Sequence, residues 1–498
     1  MTKTVAILAY NKKIADEINF KLSKPLKDMK WSPEQAAFIE AMKGNDSILL
    51  EAVAGSGKTT TLLAAAQVIS KNIKAGTVHS FGFAAIRGAV KTIKVNDRKV
   101  SNIAGPNCPP TLTPYIETVT KLVSFAKQRA IGIVGSIDND AEWYSIGQHF
   151  DLFHNGEGDN GKIFPEAEVV AYAKFVLKLS NEIVNEIDYD DMVYLPVFHG
   201  FKFNTYDMVM VDEAQDTNPA RRALVRTIVK KGGRVVAVGD RHQAIYGFTG
   251  ADNDSLDLIA KDFNCKYMPL SITYRCPKAV VKFASQWVDH IQAADTAPEG
   301  SVQTSTIGAM MKRNDLNGTA AILCRNTAPI VSLAFSLIRK KIACKVEGRD
   351  VGSGLKRLCN RWRIASTAEL INNLDDYATI EKAKALAKKN EGRAQMIDDQ
   401  VETLKIIIEG VNTEGKHEIR DVIVAIDSLF SDDVSAKGIL TLSTIHKSKG
   451  REWNTVFWLN RTATCPSKYA RQKWQLVQEV NLMYVAATRA QDTLIDLS

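Results

Sequence analysis

The sequence predicts an α/β protein built from several compact units. Short apolar runs typical of buried strands recur along the chain, and several of them end in polar residues that open a helical pattern. Two long stretches, residues 96–186 and 352–435, lack strand alternation and are predicted to be mainly helical. At 498 residues the chain is also too long for one hydrophobic core. Together these features favour strand-containing domains that carry helical insertions.

The composition is that of an ordinary globular protein, with 45% hydrophobic and 24% charged residues. No apolar run reaches the length of a membrane span, so we expect neither a membrane segment nor secretion. The seven cysteines are scattered and never form a CxxC pair, which favours reduced thiols in a cytosol-like compartment and argues against a zinc module. A formal net charge of +8 permits a polyanionic partner without identifying one.

The first predicted element is a buried strand over residues 4–9, followed by Tyr10, Asn11 and Lys12 at the start of a helical pattern. Polar residues at the carboxyl end of a strand lie where α/β sheets bind ligands. The simpler interpretation is a surface βα unit with solvated lysines. A second helix is predicted to begin at Ser32, with Pro33 in its first turn. Its Gln35 carries an amide that can present a donor and an acceptor to an adenine edge.

A glycine-rich turn connects the apolar run 47–50 to the Ala/Leu-rich run 62–70. The order strand, glycine-rich turn, helix places unpaired backbone N–H groups at a helix N-terminus, where they bind phosphate. Lys58 is predicted to reach the β- and γ-phosphates and the Thr59 hydroxyl to ligate Mg²⁺. The alternative is a flexible turn before an ordinary helix. The predicted phosphate-binding residues are Ala54, Gly55, Ser56, Gly57, Lys58, Thr59 and Thr60.

An apolar strand over residues 206–211 leads into two adjacent carboxylates. Asp212 is predicted to hold Mg²⁺, and Glu213 to orient and deprotonate an attacking water. An acidic loop without a catalytic role is the weaker alternative, because the strand delivers both groups to the sheet edge that carries the glycine-rich turn.

The next buried strand, residues 233–238, ends close to Gln243, which is placed to sense a γ-phosphate. Tyr246 and Phe248 follow in a glycine-containing loop. Aromatic side chains in such a loop can stack on unpaired bases, and core packing is the alternative for either ring.

Further apolar strands are predicted at the start of the segment 270–277, at 320–324, at 438–443 and at 455–459. The first ends in Tyr274 and Arg275, and a final helical pattern over 479–490 contains Arg489. The basic face of the helical segment 379–389 is either a solvated surface or a DNA contact.

Seven stretches in one order resemble the superfamily 1 DNA helicases of the UvrD/PcrA/Rep type, and within them the F-box DNA helicase branch. They lie between residues 52 and 490 and read AVAGSGKTT, GTVHSF, VDEAQD, VGDRHQAIYGFTGA, LSITYRCP, LSTIHKSKGREW and LMYVAATRA. Seven matches in sequence are far more specific than a single phosphate loop.

The resemblance implies a role for each matched residue. Lys58 and Thr59 bind phosphate and Mg²⁺, Asp212 and Glu213 supply metal binding and the base, and Gln243 contacts the γ-phosphate. In the family, two arginines reach the nucleotide from the second motor domain. Arg275 and Arg489 match these two arginines. Tyr274 matches the residue that stacks on adenine, Gln35 the one that reads its edge, and Glu452 the one near the ribose. The positions that contact single-stranded DNA are matched by His79, Tyr246, Phe248 and His446.

The resemblance also implies two RecA-like motor domains with parallel sheets, each carrying a mainly helical insertion. The expected boundaries are 1–95 with 187–269 for the first domain, 96–186 for its insertion, 270–351 with 436–498 for the second, and 352–435 for its insertion. This second insertion is far shorter than in the large family members, which weakens any expectation that it contacts duplex DNA.

One departure concerns the N-terminal βα unit. The family places a strand with an aromatic, Asn and Lys end after the phosphate-loop helix, but too few residues separate Ser70 from Thr77 to form it. A similar segment, ILAYNKKIADEI, lies at residues 7–18. We therefore expect this unit to be permuted to the N-terminus, to occupy the same place in the sheet and to bring Asn11 and Lys12 near DNA.

By resemblance, the expected activity is ATP-dependent translocation on single-stranded DNA, in the 3′ to 5′ direction, with duplex unwinding. The expected ligands are ATP, Mg²⁺, single strands and single-strand/duplex junctions. We expect a monomer located where its DNA is, with recombination or replication proteins as partners and a role in DNA repair. The alternatives are a translocase that mainly strips proteins from DNA and, less consistent with two arginine-bearing sites, a small-molecule kinase.

Overall fold

The structure is a computed structural model that describes residues 3–23, 29–150, 152–153, 164–247, 254–362, 364–387, 391–430 and 438–497. The chain divides into two compact units, residues 1–270 and 271–498. No helix in the described ranges is both long and apolar enough to cross a membrane.

The first unit contains a six-stranded parallel sheet in the order β3-β1-β6-β7-β2-β8 and a small parallel pair, β4 with β5. The strands are β1 (Thr4–Ala9), β2 (Ile48–Ala52), β3 (Asn72–Thr77), β4 (Lys94–Val95), β5 (Glu186–Ile187), β6 (Tyr206–Val211), β7 (Val229–Gly239) and β8 (Lys266–Leu270). The central strands are buried on both faces, as expected of a parallel sheet covered by helices.

Helices cover both faces of this sheet and form the insertion between β4 and β5. They are α1 (Lys12–Leu22), α2 (Pro33–Ala41), α3 (Lys58–Ile69), α4 (Val78–Ala89), α5 (Lys99–Ala104), α6 (Ile116–Gln128), α7 (Asp140–His149), α8 (Glu166–Glu182), α9 (Asp191–Phe198), α10 (Pro219–Ile228) and α11 (Ser255–Phe263). Short 3-10 helices lie at Pro110–Tyr115, Ala214–Asp216 and Arg241–Gln243. His79 lies in the first turn of α4.

The N-terminal strand β1 lies inside the first sheet, between β3 and β6. Its five residues from Val5 to Ala9 are fully buried, so it is part of the core of the unit. Because β1 is parallel to β6 and its Leu8 accepts a hydrogen bond from the Asp212 backbone N–H at 3.0 Å, Tyr10 and Asp212 follow neighbouring strands at one sheet edge.

The second unit contains another six-stranded parallel sheet, in the order β11-β16-β15-β12-β14-β13, and a parallel pair of β9 and β10. The strands are β9 (Ile272–Thr273), β10 (Gln292–Ala293), β11 (Ser301–Thr304), β12 (Ala320–Cys324), β13 (Cys344–Val346), β14 (Leu440–Thr444), β15 (Trp453–Leu459) and β16 (Ala490–Leu497).

The helices of the second unit include the long insertion helices α16 and α17. They are α12 (Lys278–Ala284), α13 (Ile307–Met310), α14 (Thr327–Arg339), α15 (Arg349–Cys359), α16 (Thr367–Ala387), α17 (Glu391–Thr413), α18 (Ile419–Leu429), α19 (Ile445–Ser448), α20 (Arg461–Thr464) and α21 (Lys473–Ala487). The fold is therefore two parallel-sheet α/β domains, and the predicted fold class is confirmed.

Two local predictions need correction. The apolar segment that begins at Leu270 is not one strand: Leu270 ends β8 of the first sheet, and the chain then pairs Ile272–Thr273 with Gln292–Ala293 in a separate ladder. Arg489 lies beyond the last helix, which ends at Ala487, because Ala490 already begins β16.

Ionic side chains hold the helices of the first insertion together. Lys127 bridges Asp188 at 2.7 Å and Asp191 at 2.6 Å, while Lys99 pairs with Asp191 at 2.8 Å. Asp190 lies beside this cluster and accepts hydrogen bonds from Ser124 at 2.5 Å and from Gln128 at 3.1 Å. Desolvation, followed by the charge of Asp188, raises the pKa of Asp190 to about 6.

Asp190→Asn is expected to stabilise the protein at neutral and higher pH. A raised pKa means that the folded state binds the proton more tightly, so the wild-type loses stability as the pH rises from about 4 to about 6. The variant lacks this loss, and its free energy of unfolding should exceed that of the wild-type by about 1–3 kcal/mol at about pH 8. Urea unfolding at about pH 8 and about pH 4 measures the difference, which should vanish at the lower pH.

Asp97→Asn is the matched control for this variant, because Asp97 is exposed. An equal stability change at both pH values would contradict the assignment.

Candidate functional site

The glycine-rich turn between β2 and α3 has the backbone conformation of a phosphate loop. Gly55 and Gly57 adopt φ angles of +73° and +78°, which only glycine adopts readily. A Cβ at Gly57 would also lie 3.2 Å from Nε2 of Gln35. No described side chain caps the N-terminus of α3. The backbone N–H groups of its first turn are therefore suited to bind an anion.

Four side chains that the sequence singled out meet beside this turn. Thr59 Oγ1 donates a hydrogen bond to Oδ2 of Asp212 at 2.8 Å, and Oδ1 of Asp212 accepts from the Glu213 backbone N–H at 3.0 Å. Nζ of Lys58 lies 3.9 Å from Oε1 of Glu213. The tertiary structure thus brings the glycine-rich turn and the two adjacent carboxylates together, although more than 150 residues separate Thr59 from Asp212 along the chain.

Asp212 is almost completely buried, and burial is the main cause that raises its pKa to about 6. The adjacent charge of Glu213 raises the pKa further, whereas Lys58 and the hydrogen bond from Thr59 lower it. A divalent cation at this position would favour the charged carboxylate in the same way.

The oxygens of Thr59 and Asp212 fit Mg²⁺, which prefers a few hard oxygen ligands and keeps several waters. The described residues contain no group of three or more His, Cys, Asp or Glu side chains that could hold a metal alone. The site therefore suits a metal that is shared with a phosphate ligand rather than a metal held entirely by protein.

A chain of hydrogen bonds connects Glu213 to the end of the next strand. Gln215 Nε2 donates to Glu213, and Gln215 Oε1 accepts from the Asp240 backbone N–H at 3.0 Å. Gln243 Nε2 donates to Asp240 Oδ2 at 2.6 Å. Glu213 itself has a φ of 51°, in the left-handed region that is strained for a non-glycine residue. This chain holds Glu213 and Gln243 at the same edge of the sheet.

Gln35 has two structural partners that the sequence did not predict. It completes a capping box with Ser32: its backbone N–H donates to Ser32 Oγ at 3.2 Å, and its Oε1 accepts from the Ser32 backbone N–H at 3.0 Å. Its Nε2 donates to the Ser56 backbone carbonyl at 3.1 Å. Gln35 therefore ties the start of α2 to the phosphate loop, whereas a role in adenine recognition stays a prediction.

Gln35→Ala is expected to weaken ATP binding by about threefold to thirtyfold, because it removes both the capping box and the contact to the loop. Gln35→Glu keeps the acceptor for Ser32, but it replaces the donor to Ser56 by a charged oxygen beside the loop, so its loss of affinity should exceed that of Gln35→Ala. Fluorescence titration with a nucleotide analogue measures the affinity. Equal affinity in wild-type and Gln35→Ala would contradict this role.

The candidate DNA-contacting residues of the first unit lie around Tyr10. Asn11 caps α1 by accepting a hydrogen bond from the Ile14 backbone N–H at 3.0 Å, and Lys12 is exposed. Tyr246 stacks on Tyr10, with ring centroids 5.9 Å apart and planes at 6°. Both rings are half-buried, and base stacking by Tyr246 stays a prediction beside the packing alternative. Phe248 lies outside the described residues.

His79 is half-buried, and desolvation together with the charge of Arg221 lowers its pKa to about 4. The ring is therefore neutral at physiological pH and can contact nucleic acid by hydrogen bonding or stacking, without a full charge. In the second unit, burial lowers the pKa of His446 well below its usual value, with the nearby Arg325 adding to the shift.

The second unit brings Arg275 and Arg489 close together. Arg275 forms an ion pair with Glu452 through Nε. The Arg489 side chain is fully buried and donates to the carbonyls of Val485 at 2.9 Å and Arg451 at 3.1 Å, and to the hydroxyl of Thr488 at 3.1 Å.

In the described part of the chain, no carboxylate forms an ion pair with Arg489. Burial, and then the charge of Arg275, lower its pKa to about 9. Tyr274 is half exposed and available for stacking. The second unit thus brings the cations of Arg275 and Arg489 close together in space, and the exposed ring of Tyr274 precedes Arg275 directly in the chain.

Sequence reasoning missed Gln215, Asp240 and Arg221 as site residues. Gln215 and Asp240 lie inside the stretches VDEAQD and VGDRHQ, so their position directly after buried strands was the available signal. Arg221 had no such signal, because its contacts come from Asp216 and Tyr10, which lie on other elements.

Comparison with known proteins points to one family. The family model described as UvrD/REP helicase N-terminal domain matches residues 65–264, and the UvrD-like helicase C-terminal domain matches residues 359–496. F-box DNA helicase 1 of Gallus gallus is 23% identical over 95% of this chain and 49% of its own length.

Two further relatives agree. F-box DNA helicase protein 1 of Schizosaccharomyces pombe is 24% identical over 66% of this chain and 38% of its own length. DNA helicase II of Haemophilus influenzae is 31% identical over 36% of this chain and 27% of its own length. The chain spans about half the length, or less, of these relatives.

Proposed function

The chain belongs to the UvrD-like helicase family, and on this premise we propose that it is an ATP-dependent DNA helicase that translocates on single-stranded DNA. The single observation that carries the proposal is the connected set of side chains at the sheet edge of the first unit. There the phosphate loop, Asp212, Glu213 and Gln243 meet, and the Tyr10–Tyr246 pair follows the same strands.

ATP is the proposed substrate. The backbone of residues 54–60 and Lys58 bind its phosphates, and Gln35 binds the adenine. For Tyr274 and Glu452 the proposed roles, adenine stacking and ribose binding, rest on the family resemblance alone. Mg²⁺, held by Thr59 and Asp212, would neutralise phosphate charge and orient the β- and γ-phosphates. Lys58 is buried, and no side chain in the described ranges caps the N-terminus of α3, and both observations support this assignment.

In the proposed hydrolysis, Glu213 orients water and accepts its proton while the water oxygen attacks the γ-phosphorus. The bond from the γ-phosphorus to the bridging oxygen breaks, and ADP leaves. Gln215 holds the Glu213 carboxylate in place, and Gln243 contacts the γ-phosphate. Arg275 and Arg489 supply positive charge as negative charge develops on the transferred phosphoryl group.

We further propose that His79, Asn11, Lys12, Tyr246, Phe248 and His446 contact single-stranded DNA, and that cycles of ATP binding and hydrolysis move the strand past these contacts. The proposed direction is 3′ to 5′, by resemblance. A translocase that mainly strips proteins from DNA is the second candidate, because the insertion of the second unit, residues 352–435, is short.

Strand displacement on duplexes tailed at either end tests this function. We expect ATP-dependent unwinding of the 3′-tailed duplex, none by Lys58→Ala, and stimulation of ATP hydrolysis by a thymidine oligomer. Unwinding only from a 5′ tail would overturn the polarity. Removal of a protein bound to the tail, with little unwinding, would support the second candidate, and hydrolysis that no nucleic acid stimulates would exclude both.

A further inference from the structure

Arg221 has contacts that no assigned role explains. It lies in the first turn of α10, where its backbone N–H donates to the capping side chain of Asn218 at 3.0 Å. Its half-buried guanidinium leaves this helix and reaches two other elements. Nη1 donates to the Asp216 backbone carbonyl at 2.7 Å, and Cζ lies 4.7 Å from the ring centroid of Tyr10.

The first of these contacts joins Arg221 to the loop that carries the proposed base. The Asp216 backbone N–H donates to the Glu213 carbonyl at 3.0 Å, so the two residues delimit one tight turn. Asp216 is buried. Burial is the largest cause that raises the pKa of Tyr246, and the carboxylates of Asp216 and Glu213 raise it further. A displacement of the Asp216 carbonyl would therefore move the backbone that positions Glu213.

The second contact joins Arg221 to the aromatic pair. A guanidinium over a tyrosine ring at this distance is a cation–π interaction. Because Tyr10 stacks on Tyr246, the cation also restrains the ring of Tyr246, which follows the 3-10 helix that contains Gln243. Arg221 thus contacts the turn from Glu213 to Asp216 with one nitrogen of its guanidinium and the half-buried Tyr10–Tyr246 pair with the guanidinium carbon.

We propose that Arg221 is a positioning residue that couples single-stranded DNA, bound at the Tyr10–Tyr246 pair, to the turn that carries Glu213. This inference rests on the proposed function. When a base stacks against the aromatic pair, the ring of Tyr10 and the guanidinium above it settle in one arrangement. Through the hydrogen bond to Asp216, that arrangement favours the backbone geometry in which Glu213 faces water. DNA that is bound at the aromatic pair would then also raise the rate of ATP hydrolysis.

A double-mutant cycle tests the coupling. Arg221→Ala is expected to raise the concentration of thymidine oligomer for half-maximal stimulation about threefold to tenfold, the size of one cation–π contact. The maximal stimulated kcat should fall too. In a Tyr10→Ala background the same substitution should change the half-maximal concentration by less than about twofold, because the partner ring is already absent. A purely structural role would give equal losses in both backgrounds and would overturn the proposal.

Three further variants separate the contacts. Arg221→Lys keeps a cation for the ring and should recover part of the affinity; a loss equal to that of Arg221→Ala would overturn the proposal. Arg221→Gln keeps a donor for the Asp216 carbonyl without the cation, and it replaces the alanine variant if that unfolds. Arg226→Ala, an exposed arginine on the same helix that pairs with Asp262, is the matched control and should behave as wild-type.

The outcomes distinguish this inference from the proposed function. If the wild-type protein shows no stimulation by DNA, the proposed function fails. If the wild-type is stimulated and Arg221→Ala behaves like Arg226→Ala, only the coupling by Arg221 fails.

Discussion

We expect Glu213→Gln to lower kcat for ATP hydrolysis by about 10²- to 10⁴-fold, the range that general-base catalysis contributes. Glutamine has nearly the same shape, and its side-chain oxygen can still accept the hydrogen bond from Gln215. What it loses is the negative charge near Lys58 and the ability to take a proton from water. Binding of ATP and of single-stranded DNA should therefore remain, so the variant should accumulate with nucleotide bound.

Single-turnover hydrolysis and equilibrium binding measure these two effects separately. Glu40→Gln is the matched control, because Glu40 is an exposed carboxylate whose partner is Lys43. Near-normal turnover in Glu213→Gln would show that another group removes the proton. Loss of ATP affinity together with turnover would instead show that the carboxylate positions Lys58 in the loop.

Arg489→Ala should lower kcat by about 10³-fold or more, the effect typical of an arginine that neutralises transition-state charge in phosphoryl transfer. KM for ATP should change much less, because the charge that this group meets is largest in the transition state. The guanidinium is fully buried and donates to two backbone carbonyls and one hydroxyl of its own unit, and these contacts hold its charge in place.

Truncation of such a buried side chain also leaves those carbonyls without a donor, so stability must be measured alongside activity. Arg489→Lys retains a charge and is expected to fold better than Arg489→Ala while remaining strongly impaired, because one ammonium cannot replace the fork of three donors. Arg313→Ala, a surface arginine of the second unit, is the control. A rise in KM with unchanged kcat would assign Arg489 to ground-state binding.

The local sequence pattern was sufficient to predict those parts of the candidate site that lie on a single strand and the turn after it. The run before Gly55 and Gly57 predicted the phosphate loop, and the strand before Asp212 and Glu213 predicted the carboxylate pair. In both cases the evidence lies within about ten residues, the length of one strand with its turn.

Contacts between distant segments could not be predicted in this way. Nothing near Tyr10 in the sequence indicates that it stacks on Tyr246, or that Arg221 lies against its ring. The sequence placed Arg489 in the last helix, because the helical period of apolar residues does not show where a helix ends and a buried strand begins.

By itself, the sequence determined that this is an α/β protein with two sets of strands, a phosphate loop and an ordered series of helicase-like segments. Those properties depend on the spacing of apolar residues, on glycines in turns and on the order of short segments along the chain, and all of these can be read locally. Only the tertiary structure decided that β1 lies between β3 and β6 and that Gln35 contacts the phosphate loop. It also decided which arginine reaches the turn of Glu213. Parallel strands join segments far apart in the chain, so which loops meet at a sheet edge is set by strand order, and strand order is not a local property.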